Sequence, residues 1–204
     1  MKILGLTGSV GMGKSTAALL LRRMGVPVFD ADAAVHRLLG PGGAAVALVA
    51  KAFAGVKKGD AIDRIALGKR VFADGEAMTR LEAILHPRVR ALERRFLRQA
   101  RSRGAKLVVL DIPLLYETHG ENRCDAVLVV WAPPSVQRDR VLRRPGMDGK
   151  RLKSILAKQL PSSMKRRRAD FAVPSGLGLG VTWRGLRRAL DHLRACGLES
   201  EASD

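Results

Sequence analysis

Apolar positions follow two patterns along this chain, and the alternation between them predicts its elements. Short, near-continuous apolar runs read as strands buried on both faces: Ile3–Thr7, Val26–Asp30, Lys106–Asp111, Ala126–Trp131 and Phe171–Val173. Helical spacing is predicted over Lys14–Met24, closed by Gly25, and again over 33–39, about 44–54, Asp63–Ala73 and Glu76–Ser102. Further on, Ser135–Arg143, two or more basic helices within 147–168, and Trp183–Ala195 complete the pattern, with Glu199–Asp204 expected as a frayed tail. In the longest stretch Leu81, Ile84, Leu85, Val89, Leu92 and Phe96 recur at three- and four-residue steps and would share one face. His86-Pro87 interrupts it and predicts a kink or a fresh helix start, because proline lacks an N–H and crowds the preceding turn. Strands separated by helices at this spacing predict an α/β fold with a parallel sheet, and the helical block between the second and third strands reads as an insertion.

Composition narrows the class. The chain has 204 residues, 47% of them hydrophobic, which is enough for a core and excludes chain-wide disorder. No apolar run approaches the ~20 residues of a membrane span, and Met1-Lys2-Ile3-Leu4-Gly5 offers no signal-peptide pattern. Two distant cysteines, Cys124 and Cys196, without a Cys-x-x-Cys, fit a reducing cytoplasm. The four histidines show no zinc-ligand spacing.

Charge admits two readings. Lys and Arg number 37 against 19 Asp and Glu, a net charge of +18. Such an excess suits nucleic acid, or small substrates that carry several phosphates. Five Phe, two Trp and one Tyr leave few rings for stacking on bases, and no nucleic-acid-binding motif is present. The excess concentrates between Gln137 and Arg168, with twelve Lys or Arg against two Asp, making this segment the first candidate for gripping phosphates. Within it, Lys165–Arg168 reads as exposed surface rather than as a direct contact.

The sharpest signal is Gly8-Ser9-Val10-Gly11-Met12-Gly13-Lys14-Ser15, a complete P-loop set between a predicted strand and a predicted helix. Its glycines let successive backbone N–H groups turn toward one anion at a helix N-terminus. Lys14 is expected to reach the β- and γ-phosphates of a nucleotide and the Ser15 hydroxyl to bind Mg²⁺. Asp111, at the end of a predicted strand, reads either as an acid lying behind that Mg²⁺ or as an ordinary turn residue. The guanine-reading Asn-Lys-x-Asp motif is absent, the sole asparagine being Asn122, and there is no protein-kinase catalytic loop. A small ATP-dependent phosphotransferase is the mechanistic class that remains.

Several further segments discriminate within that class. They are Val26-Pro27-Val28-Phe29-Asp30-Ala31-Asp32 with Val35-His36, His86-Pro87, Asp111-Ile112-Pro113-Leu114-Leu115-Tyr116-Glu117, Gln137-x-x-Arg140-Val141-Leu142-x-Arg144, and Ala169-Asp170-Phe171. With the P-loop, in this order and spacing, the chain resembles the dephospho-CoA kinases over nearly its whole length. The resemblance implies transfer of the ATP γ-phosphate to the ribose 3′-hydroxyl of dephospho-CoA, the last step of coenzyme A biosynthesis. It implies a three-layer P-loop kinase fold in one domain, 1–204: a core of 1–32, 104–136 and 169–204, a helical CoA-binding insertion at 33–103, and a basic helical lid at 137–168. Lid hinges are expected at Gly146 and Pro161.

Carried over by position, ATP would be bound by Thr7, Gly8, Gly11, Met12, Gly13, Lys14, Ser15, Thr16, Arg140 and Arg144. Arg140 and Arg144, four apart on one predicted helix, would face the same phosphates. Asp32 would be the general base, with Lys14 and Arg140 as its catalytic partners, although its position also suits a helix N-cap. Asp30 is the weaker choice of base and reads as structural. Asp32, His36, Asp111, Leu114 and Glu117 would contact the acceptor. Mg²⁺ is the implied cofactor, with a cytoplasmic monomer and no membrane or specific nucleic-acid partner expected. One departure stands out: the resemblance calls for Asn-Gly after the last core strand, where this chain has Pro174-Ser175-Gly176, in a loop expected near the adenine of ATP. A nucleoside or nucleoside monophosphate kinase and an ATP-switched nucleic-acid binder are the rival readings.

Overall fold

The computed structural model describes residues 1–72 and 74–198, so the expected tail Glu199–Asp204 and the expected helix end at Ala73 lie outside the described residues. In chain order the elements are β1 (Lys2–Thr7), α1 (Lys14–Arg23), β2 (Val28–Asp30), α2 (Ala31–Leu39), α3 (Val46–Ala52), β3 (Lys57–Lys58) and β4 (Ala61–Ile62). There follow α4 (Arg64–Val71), α5 (Gly75–Ser102), β5 (Leu107–Asp111), a 3₁₀ turn (Gly120–Arg123), β6 (Ala126–Trp131), α6 (Pro134–Leu142), α7 (Gly149–Ala157), α8 (Ser162–Arg168), β7 (Phe171–Pro174) and α9 (Leu179–Leu198). Two units make up the chain: Met1–Phe29 with Ala100–Asp204, and Asp30–Gln99.

In the first unit the apolar runs become a five-stranded sheet ordered β2-β5-β1-β6-β7, in which β1 pairs in parallel with β5 and β6, and β6 with β7. Leu4 and Leu6 of β1, Val108 and Leu110 of β5, and Leu128 of β6 are wholly buried, as strands covered on both faces must be. Leu21 of α1 and Leu186 of α9, also fully buried, join the same apolar cluster. Register decides where chemistry can occur: Leu6 lies opposite Asp111 and Thr7 opposite Val129. The carboxyl ends of β1, β5 and β6 therefore come level where the strand order reverses around β1, the usual ligand crevice of an open parallel sheet.

The second unit has its own core, including Leu38, Val49, Phe53, Val56, Leu67 and Leu81. Two features there depart from the sequence reading. A small hairpin pairs Lys57 with Ile62 and Lys58 with Ala61 around Gly59 (φ 62°), and its two exposed lysines conceal it from any hydrophobic pattern. Helix α5 also runs unbroken through Pro87 rather than starting there. The hydrogen bond that proline removes belongs to the carbonyl of Ala83, and both residues are exposed, so water can satisfy that oxygen.

Candidate active site

The turn from β1 into α1 is built by its glycines. Gly11 (φ 76°) and Gly13 (φ 84°) take the left-handed backbone that other residues resist. A side chain at Gly8 would put its Cβ 2.7 Å from the Val130 carbonyl oxygen. Gly13 precedes α1 without any side-chain cap, so the first-turn amides of Lys14, Ser15 and Thr16 have no intrahelical acceptor and face an incoming anion. Ser15 and Thr16 are exposed there. Two other P-loop positions turn inward instead. The fully buried Thr7 donates its hydroxyl to the Pro113 carbonyl at 2.9 Å, and the Met12 thioether accepts the Ala132 N–H at 3.0 Å.

Lys14 Nζ lies 2.7 Å from Asp111 Oδ1, and the Asp111 carboxylate is only 3% exposed. The pair spans the carboxyl ends of neighbouring strands and holds the lysine at the mouth of the loop. A hydroxyl at Ser15 and a carboxylate at Asp111 are hard oxygen donors. Among the described residues no three His, Cys, Asp or Glu form a group able to hold an ion. That donor set fits Mg²⁺ carried mainly by phosphates and water, and does not fit a protein-built zinc or calcium cage.

Helix α6 clamps the loop from one side. Buried Gln137 donates to the Val10 carbonyl at 2.8 Å, while the Val10 N–H donates to Gln159 Oε1 at 3.2 Å, from the segment between α7 and α8. Three residues along α6, Arg140 donates through Nη1 to Ser175 Oγ (2.9 Å) and through Nη2 to the Ser175 carbonyl (2.7 Å). The Ser175 hydroxyl in turn donates to the Met12 carbonyl at 2.7 Å. Lys14, Asp111, Gly13 and Arg140 are thus assembled around one loop. Arg144 is not: α6 ends at Leu142, so Arg144 lies beyond the helix, exposed, and the expected i, i+4 pairing with Arg140 does not form. Pro145-Gly146, with Gly146 at φ 72°, ends the helical path there.

The basic segment is more internally bound than its composition implied. Lys165, expected at the surface, is fully buried and pairs with Glu117 Oε1 at 2.8 Å. Glu117 Oε1 also accepts the Leu160 N–H at 2.7 Å, and Lys165 Nζ reaches the Pro113 carbonyl at 3.4 Å. Arg168 pairs with Glu121 at 2.8 Å and lies 4.6 Å over the Tyr116 ring; Arg166 lies 4.2 Å over Trp131. Burial pushes the Tyr116 phenol up to about 12, against the opposing pull of the Arg168 cation. Glu117 therefore holds α8 and the loop after β5, and on that loop Leu114 is left 39% exposed. Gln159 and Lys165 carried no sequence signal for these roles, since neither spacing nor charge says which lysine of a run turns inward.

In the second unit, α2 shows which of its two acids is the cap. Asp30, not Asp32, is the N-cap: its Oδ1 accepts the Ala33 N–H at 2.9 Å. Asp32 sits exposed in the first turn, its carboxylate making no hydrogen bond or ion pair to another described residue. His36 lies one turn further along α2, also exposed.

Known proteins match this chain throughout these elements. A family model described as dephospho-CoA kinase matches residues 2–176. A dephospho-CoA kinase of Paramagnetospirillum magneticum is 64% identical over 166 residues, covering 81% of this chain and 78% of the relative. One of Rhodospirillum rubrum is 55% identical over 194 residues, covering 95% and 92%. Among solved structures, a protein from Thermus thermophilus superposes with a TM-score of 0.80 at 37% identity, over 95% of this chain and 96% of its own. A dephospho-CoA kinase from Campylobacter jejuni does so at 0.63 and 25% identity, over 94% and 97%.

Proposed function

The chain belongs to the dephospho-CoA kinase family, and from that premise we propose how its residues carry the ATP γ-phosphate to the ribose 3′-hydroxyl of dephospho-CoA, giving CoA and ADP. The observation that carries phosphoryl transfer is the uncapped α1 N-terminus behind Gly13, with Lys14 held at its mouth by Asp111. The amides of Lys14, Ser15 and Thr16 cradle phosphate oxygens, with Gly8, Gly11 and Gly13 supplying the backbone path and buried Thr7 and Met12 holding it in shape. Lys14 and Arg140 set positive charge against the oxygens of the transferring group, where charge spreads in the transition state. Mg²⁺, when bound, neutralises the β- and γ-phosphates; Ser15 would hold it, with Asp111 behind.

Asp32 takes the proton of the ribose hydroxyl as its oxygen bonds to phosphorus. Its support is Asp30, which performs the capping that would otherwise account for an acid here. His36 and Leu114 are assigned to acceptor binding by resemblance, while Glu117 serves it indirectly by fixing the loop that bears Leu114. We infer the division into core, CoA-binding insertion and lid given above, with the moving part of the lid confined between Gly146 and Pro161. Arg144, just before the Gly146 hinge, is assigned to the phosphates with the lid, whose closure excludes water. The protein works as a cytoplasmic monomer in this reading.

The test is ADP release with Mg²⁺-ATP and, separately, dephospho-CoA, adenosine, AMP or no acceptor, with the phosphate position checked in the product. Turnover specific to dephospho-CoA, falling by about 10²–10⁴ in Asp32→Asn, is the expected result. Preference for another acceptor would overturn the substrate, and full activity in the variant would overturn the base.

A further inference from the structure

We propose that Ser175 is a positioning residue for phosphoryl transfer, aiming Arg140 at the P-loop; this rests on the role given to Arg140 above. Ser175 occupies the Pro174-Ser175-Gly176 loop, where the sequence departs from the Asn-Gly its resemblance calls for. Its side chain is buried, with the residue 8% exposed, and its N–H donates to the Trp131 carbonyl at 2.8 Å, which pins the loop to the end of β6.

Donor and acceptor chemistry sets the direction of every bond at this residue. A carbonyl only accepts, so the single hydroxyl proton of Ser175 goes to the Met12 oxygen at 2.7 Å. A guanidinium only donates, so Arg140 Nη1 takes a lone pair on the same Oγ at 2.9 Å, and Nη2 takes the Ser175 carbonyl at 2.7 Å. Two contacts to one residue fix the plane of the guanidinium. Of the five N–H donors of an arginine, three remain for phosphate oxygens. Ser175 therefore orients Arg140 without exhausting it.

Gly13 completes the arrangement. A Cβ there would lie 2.9 Å from Ser175 Oγ and 3.5 Å from Arg140 Nη1. The glycine that shapes the P-loop thus also makes room for the hydroxyl that ties the loop to the arginine.

The experiment compares wild type, Ser175→Ala, Ser175→Cys, Arg140→Ala and the Ser175→Ala/Arg140→Ala double variant. Each is assayed for kcat and KM with Mg²⁺-ATP and dephospho-CoA, and each is melted thermally. Ser175→Ala is expected to lower kcat about tenfold, the scale of one hydrogen bond to a charged group, with KM for ATP within about threefold of wild type. In the Arg140→Ala background the same change is expected to cost less than about twofold, because the group it orients is gone. Ser175→Cys keeps the side-chain volume with a poor hydrogen-bonding group; it should match alanine, and it carries the test if Ser175→Ala does not fold. A kcat within about twofold of wild type, or a tenfold loss that persists beside Arg140→Ala, would overturn the proposal. Wild-type protein without dephospho-CoA-dependent turnover would refute the proposed function and this inference with it.

Discussion

Removing the buried ammonium of Lys165 tests whether α8 is fastened to the core as the structure indicates. Lys165 is fully buried and Glu117 18% exposed, with Nζ and Oε1 2.8 Å apart. Lys165→Met keeps the length of the aliphatic stem and deletes the charge, so the main loss is electrostatic. Breaking one side of a buried pair costs about 3–5 kcal/mol, because the remaining charge is desolvated and uncompensated. Glu117 keeps the Leu160 N–H on Oε1, which places the cost near the lower end, about 3 kcal/mol. For a chain of this size each kcal/mol moves Tm by about 2–4 °C, so the drop should be about 6–12 °C by calorimetry or circular dichroism. Glu117→Gln alone should cost a comparable amount, about 3–5 kcal/mol, because it leaves the fully buried Lys165 ammonium without its counter-charge. Combined with Lys165→Met it should restore at least about half of the loss, because no uncompensated charge remains. A Lys165→Met melt within about 2 °C of wild type, or a double variant that loses the sum of the singles, would refute the reasoning.

Two further outcomes follow from the acids of α2 and from Tyr116. Asp30→Ala removes the N-cap of α2 and should cost about 1 kcal/mol, or 2–4 °C in Tm. Asp32→Asn should leave Tm unchanged, and a larger melting loss there than in Asp30→Ala would reverse the assignment of the two acids. Tyr116 is the sole tyrosine, so phenolate absorbance reports it alone. Its native midpoint should fall at about 12, because burial disfavours the anion, and return to about 10 in denaturant. Since the folded value is the raised one for an acid, the neutral phenol's contribution to stability is complete below the unfolded value. It is lost as pH rises from there toward the folded value. A native midpoint near 10 would show that the ring is not buried.

Where residues carry their own conformational instructions, sequence and structure agree closely. Gly25 stops α1 in the left-handed conformation (φ 79°) expected of it, and Ala126–Trp131 forms β6 with the predicted ends. Agreement fails where a local rule meets a wider context. Pro87 breaks helices in general, yet here the carbonyl it strands is on an exposed surface, so α5 continues. Arg144 has helical spacing from Arg140, but α6 ends at Leu142, two residues short of it, ahead of Pro145-Gly146.

Taken alone, the chain determined the P-loop, the parallel α/β class and the helical insertion, because each is written in backbone preference or in short-range spacing; the acids worth testing came by resemblance. Tertiary structure decided what those residues bind. Asp30 became the cap and left Asp32 without one, Lys165 turned inward to Glu117 while its neighbours lay over rings, and Ser175 came to link Arg140 with Met12. The Asp30 cap is a local contact, but the Lys165 and Ser175 contacts join segments far apart in sequence, up to 163 positions. Such a contact exists only after strand register has brought the two segments together, and no local pattern encodes the desolvation that makes it matter.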